Sequence, residues 1–131
     1  MTGLDTNVLI RHLTRDDPVQ SPKATRLIER TLTEEAPGFV NIVVIAETAW
    51  VLERAYALSS GEIAAALERI LQTAVLIVEN EADVFAAMIA VKENRASFAD
   101  ALIGALDATA GCAVTVTFDR RAARLRDFQL L

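Results

Sequence analysis

Short apolar runs alternate along the chain with stretches in which apolar residues recur every three to four positions. The runs predict strands at residues 1–4, 39–40, 73–78 and 113–117, with an edge strand at 128–131. The helical spacing predicts helices near residues 6–14, 22–32, 42–55, 60–71, 81–93 and 98–110, and a short one at 119–126. Strands that alternate with helices in this way predict an α/β fold whose parallel sheet is flanked by helices.

Polar residues stand where these helices should begin. Residues with N-capping side chains precede six of the predicted helices, and they are Asp5, Ser21, Asn41, Ser59, Asn80 and Ser97. Ser21 is followed by a proline at the predicted first helical position, and Ser59 has Glu62 three residues later, as in a capping box. Gly111 is placed to end the helix at 98–110.

Length and composition fit one domain spanning residues 1–131. The chain is 53% hydrophobic, yet no apolar run approaches the ~20 residues that cross a bilayer. Charged residues interrupt the N-terminus before a signal peptide could be completed, so we expect a cytoplasmic protein. The single cysteine, Cys112, cannot form an internal disulfide, and its apolar neighbourhood predicts a small core residue.

The formal charge of -5 argues against a uniformly basic nucleic-acid surface. Basic residues are nevertheless concentrated near the two ends of the chain, and the candidates for RNA contact are Arg11, Arg120, Arg121 and Arg124. The last three are also compatible with a solvated helix face, but they lie beside Asp119, a candidate site residue, which favours phosphate contacts.

Four acids occupy positions at which a site is expected. Asp5 and Asp119 directly follow predicted strands, where parallel sheets bind ligands. Asp100 lies in the first turn of its helix, and Glu47 lies among apolar neighbours, each without a basic partner one turn away. If the four met, they would repel by roughly 4 kcal/mol per pair at 4 Å. Bound Mg²⁺ or Mn²⁺ would relieve that repulsion, because these ions prefer oxygen ligands.

Each acid taken alone has an ordinary interpretation. Asp5 and Asp119 are also good N-caps, Asp100 is favoured by its helix dipole, and Glu47 could face solvent. The only histidine, His12, is expected to be a packing or surface residue rather than a general base. Trp50 and Tyr56 are expected in the core or a subunit interface. Gly104, inside a helix, predicts close approach of another backbone or a ligand.

Four segments together resemble the PIN domains, and among these the VapC toxins of bacterial toxin–antitoxin pairs. The segments run from Leu4 to Arg11, from Glu47 to Leu52, from Phe98 to Ile103 and from Thr117 to Arg120. The resemblance implies a three-layer PIN-like fold with four to five short parallel strands. It also implies an endoribonuclease that cleaves phosphodiester bonds with Mg²⁺, for which Mn²⁺ can substitute.

By the same resemblance, Asp5, Glu47, Asp100 and Asp119 are the catalytic and metal-binding acids, and Thr117 is a further catalytic residue. Supporting roles fall to Thr6, Asn7 and Ser97. The implied partners are RNA, a VapB-type antitoxin and a second copy of the chain, with no membrane.

The sequence departs from the family pattern at two points. Many relatives carry an additional acid where this chain has Ser97, which leaves open whether one or two metal ions bind. Gly3 stands where a larger apolar residue is usual.

Other functions are less consistent with the motifs. An aspartyl-phosphate phosphatase would need a second acid where Asn7 stands, a receiver domain would need a late lysine, and a P-loop motif is absent. The remaining alternative is a PIN-like module that binds RNA or protein without cleaving.

Overall fold

The computed structural model describes residues 1–131 and has the predicted α/β organisation of helices and parallel strands. The helices are α1 (Thr6–Thr14), α2 (Gln20–Arg26), α3 (Ile42–Arg54), α4 (Ser60–Leu71), α5 (Glu81–Lys92) and α6 (Phe98–Ala110). The strands are β1 (Thr2–Gly3), β2 (Gly38–Val40), β3 (Leu76–Val78), β4 (Thr115–Thr117) and β5 (Phe128–Leu130). A π-helical turn (Leu27–Thr31) extends α2, and a 3₁₀ turn (Ala122–Arg124) lies between β4 and β5.

The five strands form two parallel sheets rather than one. One sheet has the order β1-β2-β3, and the other contains only β4 and β5. The backbone N–H groups of Thr2 and Leu4 donate to carbonyls of the β2 segment, and no backbone hydrogen bond joins β1 to β4. The five strands therefore do not pair into the expected single sheet of four to five strands. Apolar runs in the sequence predict strands but do not determine which strands lie side by side.

Side-chain caps begin most helices as predicted. The Asn41 carboxamide accepts from the Val44 N–H at 2.9 Å, and the Ser97 hydroxyl accepts from the Asp100 N–H at 3.2 Å. Ser59 and Glu62 form a complete capping box on α4. Each cap satisfies N–H groups that have no partner inside the helix, which fixes where α3, α4 and α6 start.

Two predicted caps are wrong. Ser21 is buried within α2, and the Asp17 carboxylate instead accepts from the N–H groups of Val19 and Gln20 at 2.9 and 2.6 Å. Asn80 precedes α5 with a positive φ of 51°, and its side chain forms no capping bond. The Asp17 carboxylate takes the place predicted for the Ser21 hydroxyl, and the left-handed backbone at Asn80 excludes its side chain from capping.

One cluster of buried aliphatic side chains holds the helices to the larger sheet. Fully buried members come from most of the elements and include Leu9, Val40, Ile45, Leu52, Leu67 and Met88. Helix α3 contacts α1, α4 and α6, so it lies at the centre of the packing. No helix is both long and apolar enough to cross a membrane.

The C-terminal sheet is more exposed than the sequence predicts. The apolar run at residues 113–117 predicts a buried strand, but Val116 in β4 is 56% exposed. Cys112 is exposed rather than in the core. The ring of Phe128 in β5 lies directly against Gly104 of α6. The predicted close approach at Gly104 is therefore made by a side chain, not by a backbone or a ligand.

Candidate active site

Asp5 lies where β1 passes into α1. Its Oδ1 accepts a hydrogen bond from the Thr6 N–H at 2.8 Å, and no protein group bonds Oδ2. The side chain is exposed, whereas the adjacent Thr6 is buried and its Oγ1 has no hydrogen-bond partner. A buried hydroxyl without a partner costs about 1–3 kcal/mol, so Thr6 is placed where a bound ligand or its water would satisfy it.

Glu47 lies on α3, which packs against α1. Asp5 and Glu47 line the same cleft of about 420 Å³, together with Thr6, Asn7, Arg11 and residues at one-turn intervals along α3. The structure thus brings together two of the four predicted acids from positions far apart in the chain. Glu47 is exposed within this cleft and accepts no hydrogen bond from the protein.

Asp100 and Asp119 do not line the Asp5–Glu47 cleft. Asp100 is half-buried in the first turn of α6, and its backbone N–H is held by Ser97. Asp119 is exposed after β4, and its Oδ1 accepts from the N–H groups of Arg121 and Ala122 at 2.8 and 3.2 Å. The Thr117 hydroxyl accepts from the Asp119 N–H at 3.0 Å, which fixes the turn that follows β4.

The four predicted acids do not form a metal-binding group in this structure. No set of three or more acidic, histidine or cysteine side chains is placed to hold a metal ion. The four ion pairs of the chain involve Asp16, Glu29, Glu93 and Asp127, so none neutralises a predicted site acid. Asp5 and Glu47 therefore offer two unpaired carboxylates beside a hydroxyl without a partner, a donor set that fits a hard divalent cation.

His12 lies outside this cleft. Its ring is half-buried and lies 3.3 Å from the Thr25 hydroxyl. Burial lowers the pKa of His12 below its ordinary value of 6.5, and the nearby Arg15 lowers it further. The imidazole is neutral at pH 7 and takes no part in the cleft.

The C-terminal arginines lie near a second cavity. Arg120, Arg121 and Arg124 are all exposed, and Arg121 lines a cavity of about 320 Å³ with Ser97 and Trp50. Trp50 is 58% exposed, with the Arg54 guanidinium 5.8 Å from its ring centre. Of the two expected places for Trp50, the core is excluded because the face of α3 that carries it is open to solvent, and a subunit interface stays a prediction.

The sequence did not single out Tyr56 for the cleft. Tyr56 lines it beside Arg11 and donates to the Asp16 carboxylate at 2.8 Å. Arg11 also donates to the Tyr56 hydroxyl at 3.3 Å. Helical spacing from Glu47 reaches Val51 on the same face of α3 and Ala55 at its C-cap, and Tyr56 follows directly. No local pattern, however, connects it to residues forty or more positions earlier.

Comparison with known families gives one match. The model of the PIN domain matches residues 4–127, nearly the whole chain. No curated protein sequence matches the chain.

Proposed function

The chain belongs to the PIN domain family, and from that premise we propose that it is a Mg²⁺-dependent endoribonuclease, the toxin of a VapBC-type toxin–antitoxin pair. PIN domains are generally nucleases. The observation that carries the proposal is the cleft in which Asp5 and Glu47 lie without ion-pair partners, beside the unpartnered hydroxyl of Thr6.

Asp5 and Glu47 are the residues that would hold the metal ion. A bound Mg²⁺ or Mn²⁺ would neutralise the carboxylates, lower the pKa of a water molecule and stabilise the charge of the leaving oxygen. Asp100 and Asp119 are assigned as further ligands. A bound cation would offset the roughly 4 kcal/mol of repulsion that each additional carboxylate at 4 Å would add.

The remaining site residues orient these acids and the substrate. Thr6 keeps a free hydroxyl beside Asp5, and Thr117 fixes the backbone of Asp119 while its own proton remains available to donate. Ser97 caps the helix that carries Asp100, which explains a supporting role without a metal contact. Asn7 and Arg11 line the cleft, where they would contact the RNA.

Contacts with RNA beyond the cleft are assigned to Arg120, Arg121 and Arg124. All three are exposed and close in sequence to Asp119, and their charges suit phosphate oxygens. The proposal also includes a homodimer and a VapB-type antitoxin, the partners implied by the motif resemblance. Exposed apolar side chains on α3, Val43 and Trp50, provide surface for such contacts. Light scattering should then give about twice the chain mass of 14.2 kDa.

A non-catalytic PIN module that binds RNA or a protein is the second candidate. The observation that favours it is the lack of a preassembled group of three acids. The two functions differ in what happens to the RNA, because a binding module leaves the strand intact with or without Mg²⁺.

The decisive experiment incubates cellular RNA with purified protein and Mg²⁺ and sequences the new RNA ends. The variants D5N and E47Q should reduce cleavage at least about a hundredfold, the loss expected when several kcal/mol of transition-state stabilisation disappear. The matched control is E53Q, which removes an exposed acid from the same helix but outside the cleft. Intact RNA with the wild-type protein, or equal cleavage by all three variants, contradicts the proposal.

A further inference from the structure

A second groove adjoins the Asp5–Glu47 cleft and lies between α1 and α2. Its polar lining consists of Asn7, Arg11, Gln20 and Lys23, and its volume is about 280 Å³. We call it the α1–α2 groove. Asn7 and Arg11 also line the cleft, so the two cavities share a wall along α1. These two residues are one helical turn apart, about 6 Å along the axis.

The lining of this groove differs in charge from the rest of the protein. It contains two cationic side chains and two carboxamides but no carboxylate, in a chain whose net charge is -5. Lys23 is exposed and forms neither an ion pair nor a hydrogen bond with the protein. Cations and amide donors without an acid make a site for an anion, and a phosphodiester is the anion that a nuclease substrate presents at every residue.

Arg11 is held in position before any ligand arrives. Its Nε donates to Gln20 Oε1 at 2.8 Å, and its Nη1 donates to Asp16 Oδ1 at 3.4 Å and to the Tyr56 hydroxyl at 3.3 Å. Its Nη2 has no protein partner. A guanidinium fixed on two sides with a free donor edge loses little conformational entropy when it binds phosphate.

Two acids near the groove set a limit on its affinity for anions. Hydrogen bonds from Thr14 and Tyr56 hold the pKa of Asp16 below its usual range, so Asp16 stays charged and partly offsets Arg11. Asp17 is occupied by the N–H groups at the start of α2. Neither carboxylate lines the groove, and Lys23 remains as its uncompensated charge.

We propose that the α1–α2 groove binds a phosphate of the RNA strand next to the scissile one, with Arg11 and Lys23 contacting its oxygens. The inference rests on the proposed ribonuclease function for the identity of the polymer. The RNA strand then runs along α1 from the Asp5–Glu47 cleft into the groove, and the groove positions the strand without taking part in the reaction.

The test measures binding of a short fluorescein-labelled oligouridylate by anisotropy, in EDTA and at several salt concentrations. K23Q should weaken binding roughly threefold to tenfold, the effect of one charged contact. It should also reduce the slope of log affinity against log salt by about 0.7, since one phosphate contact on a single strand is lost. K92Q is the matched control, because it removes the same exposed charge from α5 and should behave as the wild type.

Each outcome decides for or against the groove. Equal binding by K23Q and K92Q overturns the inference, and so does wild-type protein that binds no oligouridylate. Lys23-dependent binding of a labelled oligoglutamate, without Lys23-dependent RNA binding, assigns the groove to an acidic protein and also overturns it. Binding is measured in EDTA, which prevents cleavage, so the groove is tested separately from the nuclease activity. If binding depends on Lys23 but the protein does not cleave RNA with Mg²⁺, the nuclease proposal is contradicted and the groove is not.

Discussion

Replacing Gly104 by alanine tests how the C-terminal sheet is held to the rest of the molecule. An alanine in a helix interior is favoured over glycine by about 1 kcal/mol. At Gly104, however, the new methyl group would overlap the ring of Phe128, whose Cε2, Cζ and Cδ2 atoms all lie close to its position. Overpacking of this kind costs about 1–3 kcal/mol. The net expectation for G104A is a loss of stability between roughly 0 and 2 kcal/mol.

The sign of the effect should reverse when the ring is removed. In an F128A background the methyl group added by G104A meets no ring, so the same substitution should stabilise the protein by about 1 kcal/mol. Urea unfolding followed by circular dichroism measures all four proteins of this double-mutant cycle. A stabilisation of about 1 kcal/mol in both backgrounds would show that Phe128 does not pack on α6.

Four further substitutions test individual side chains. T48V should stabilise the protein by up to about 1–3 kcal/mol and leave cleavage unchanged, because Thr48 is buried with an unpartnered hydroxyl. T6V should stabilise the protein by a similar amount but lower its cleavage rate. Equal cleavage rates for T6V and the wild type would contradict the role of Thr6. S97A should lower the free energy of unfolding by about 1 kcal/mol, as loss of a helix cap does, with the affinity for Mn²⁺ unchanged. Y56F should raise the pKa of Asp16 towards 3.8 in an NMR titration, because it removes one of the hydrogen bonds that lower this pKa. The stabilities of Y56F and the wild type should converge as the pH falls below 3.8, because Asp16 then gains its proton.

Local chemistry made much of the fold predictable. Asn41, Ser97 and the Ser59–Glu62 box cap their helices through atoms within three residues in sequence, so the signal and the structure occupy the same window. Gly111 ends α6 with a φ of 101°, a conformation that glycine adopts readily. The prediction of Ser21 as an N-cap was wrong because the carboxylate of Asp17, four residues earlier, reaches the N–H groups at the start of α2.

Features that depend on distant residues could not be predicted in the same way. The separation of β4 and β5 from the larger sheet depends on which strand edges meet, and apolar runs carry no information about pairing. The exposure of Trp50 depends on which elements pack over α3, and its helical spacing could not reveal that.

The candidate site was predictable in part. The positions of Asp5 after a strand and of Glu47 on an apolar helix face predicted two acids that the structure brings into one cleft. That Asp100 and Asp119 bind the same metal ion as Asp5 and Glu47 stays a prediction. Tyr56 joins Arg11 through hydrogen bonds between distant parts of the chain, which only the folded structure reveals.

Mn²⁺ titration followed by electron paramagnetic resonance shows whether Asp5 and Glu47 bind a divalent cation in their shared cleft. The wild-type protein and E53Q should bind Mn²⁺ with equal affinity, and D5N and E47Q should each bind it far more weakly. Equal Mn²⁺ affinity in all four proteins, or no Mn²⁺ binding by the wild type, would show that these two carboxylates do not hold the metal ion.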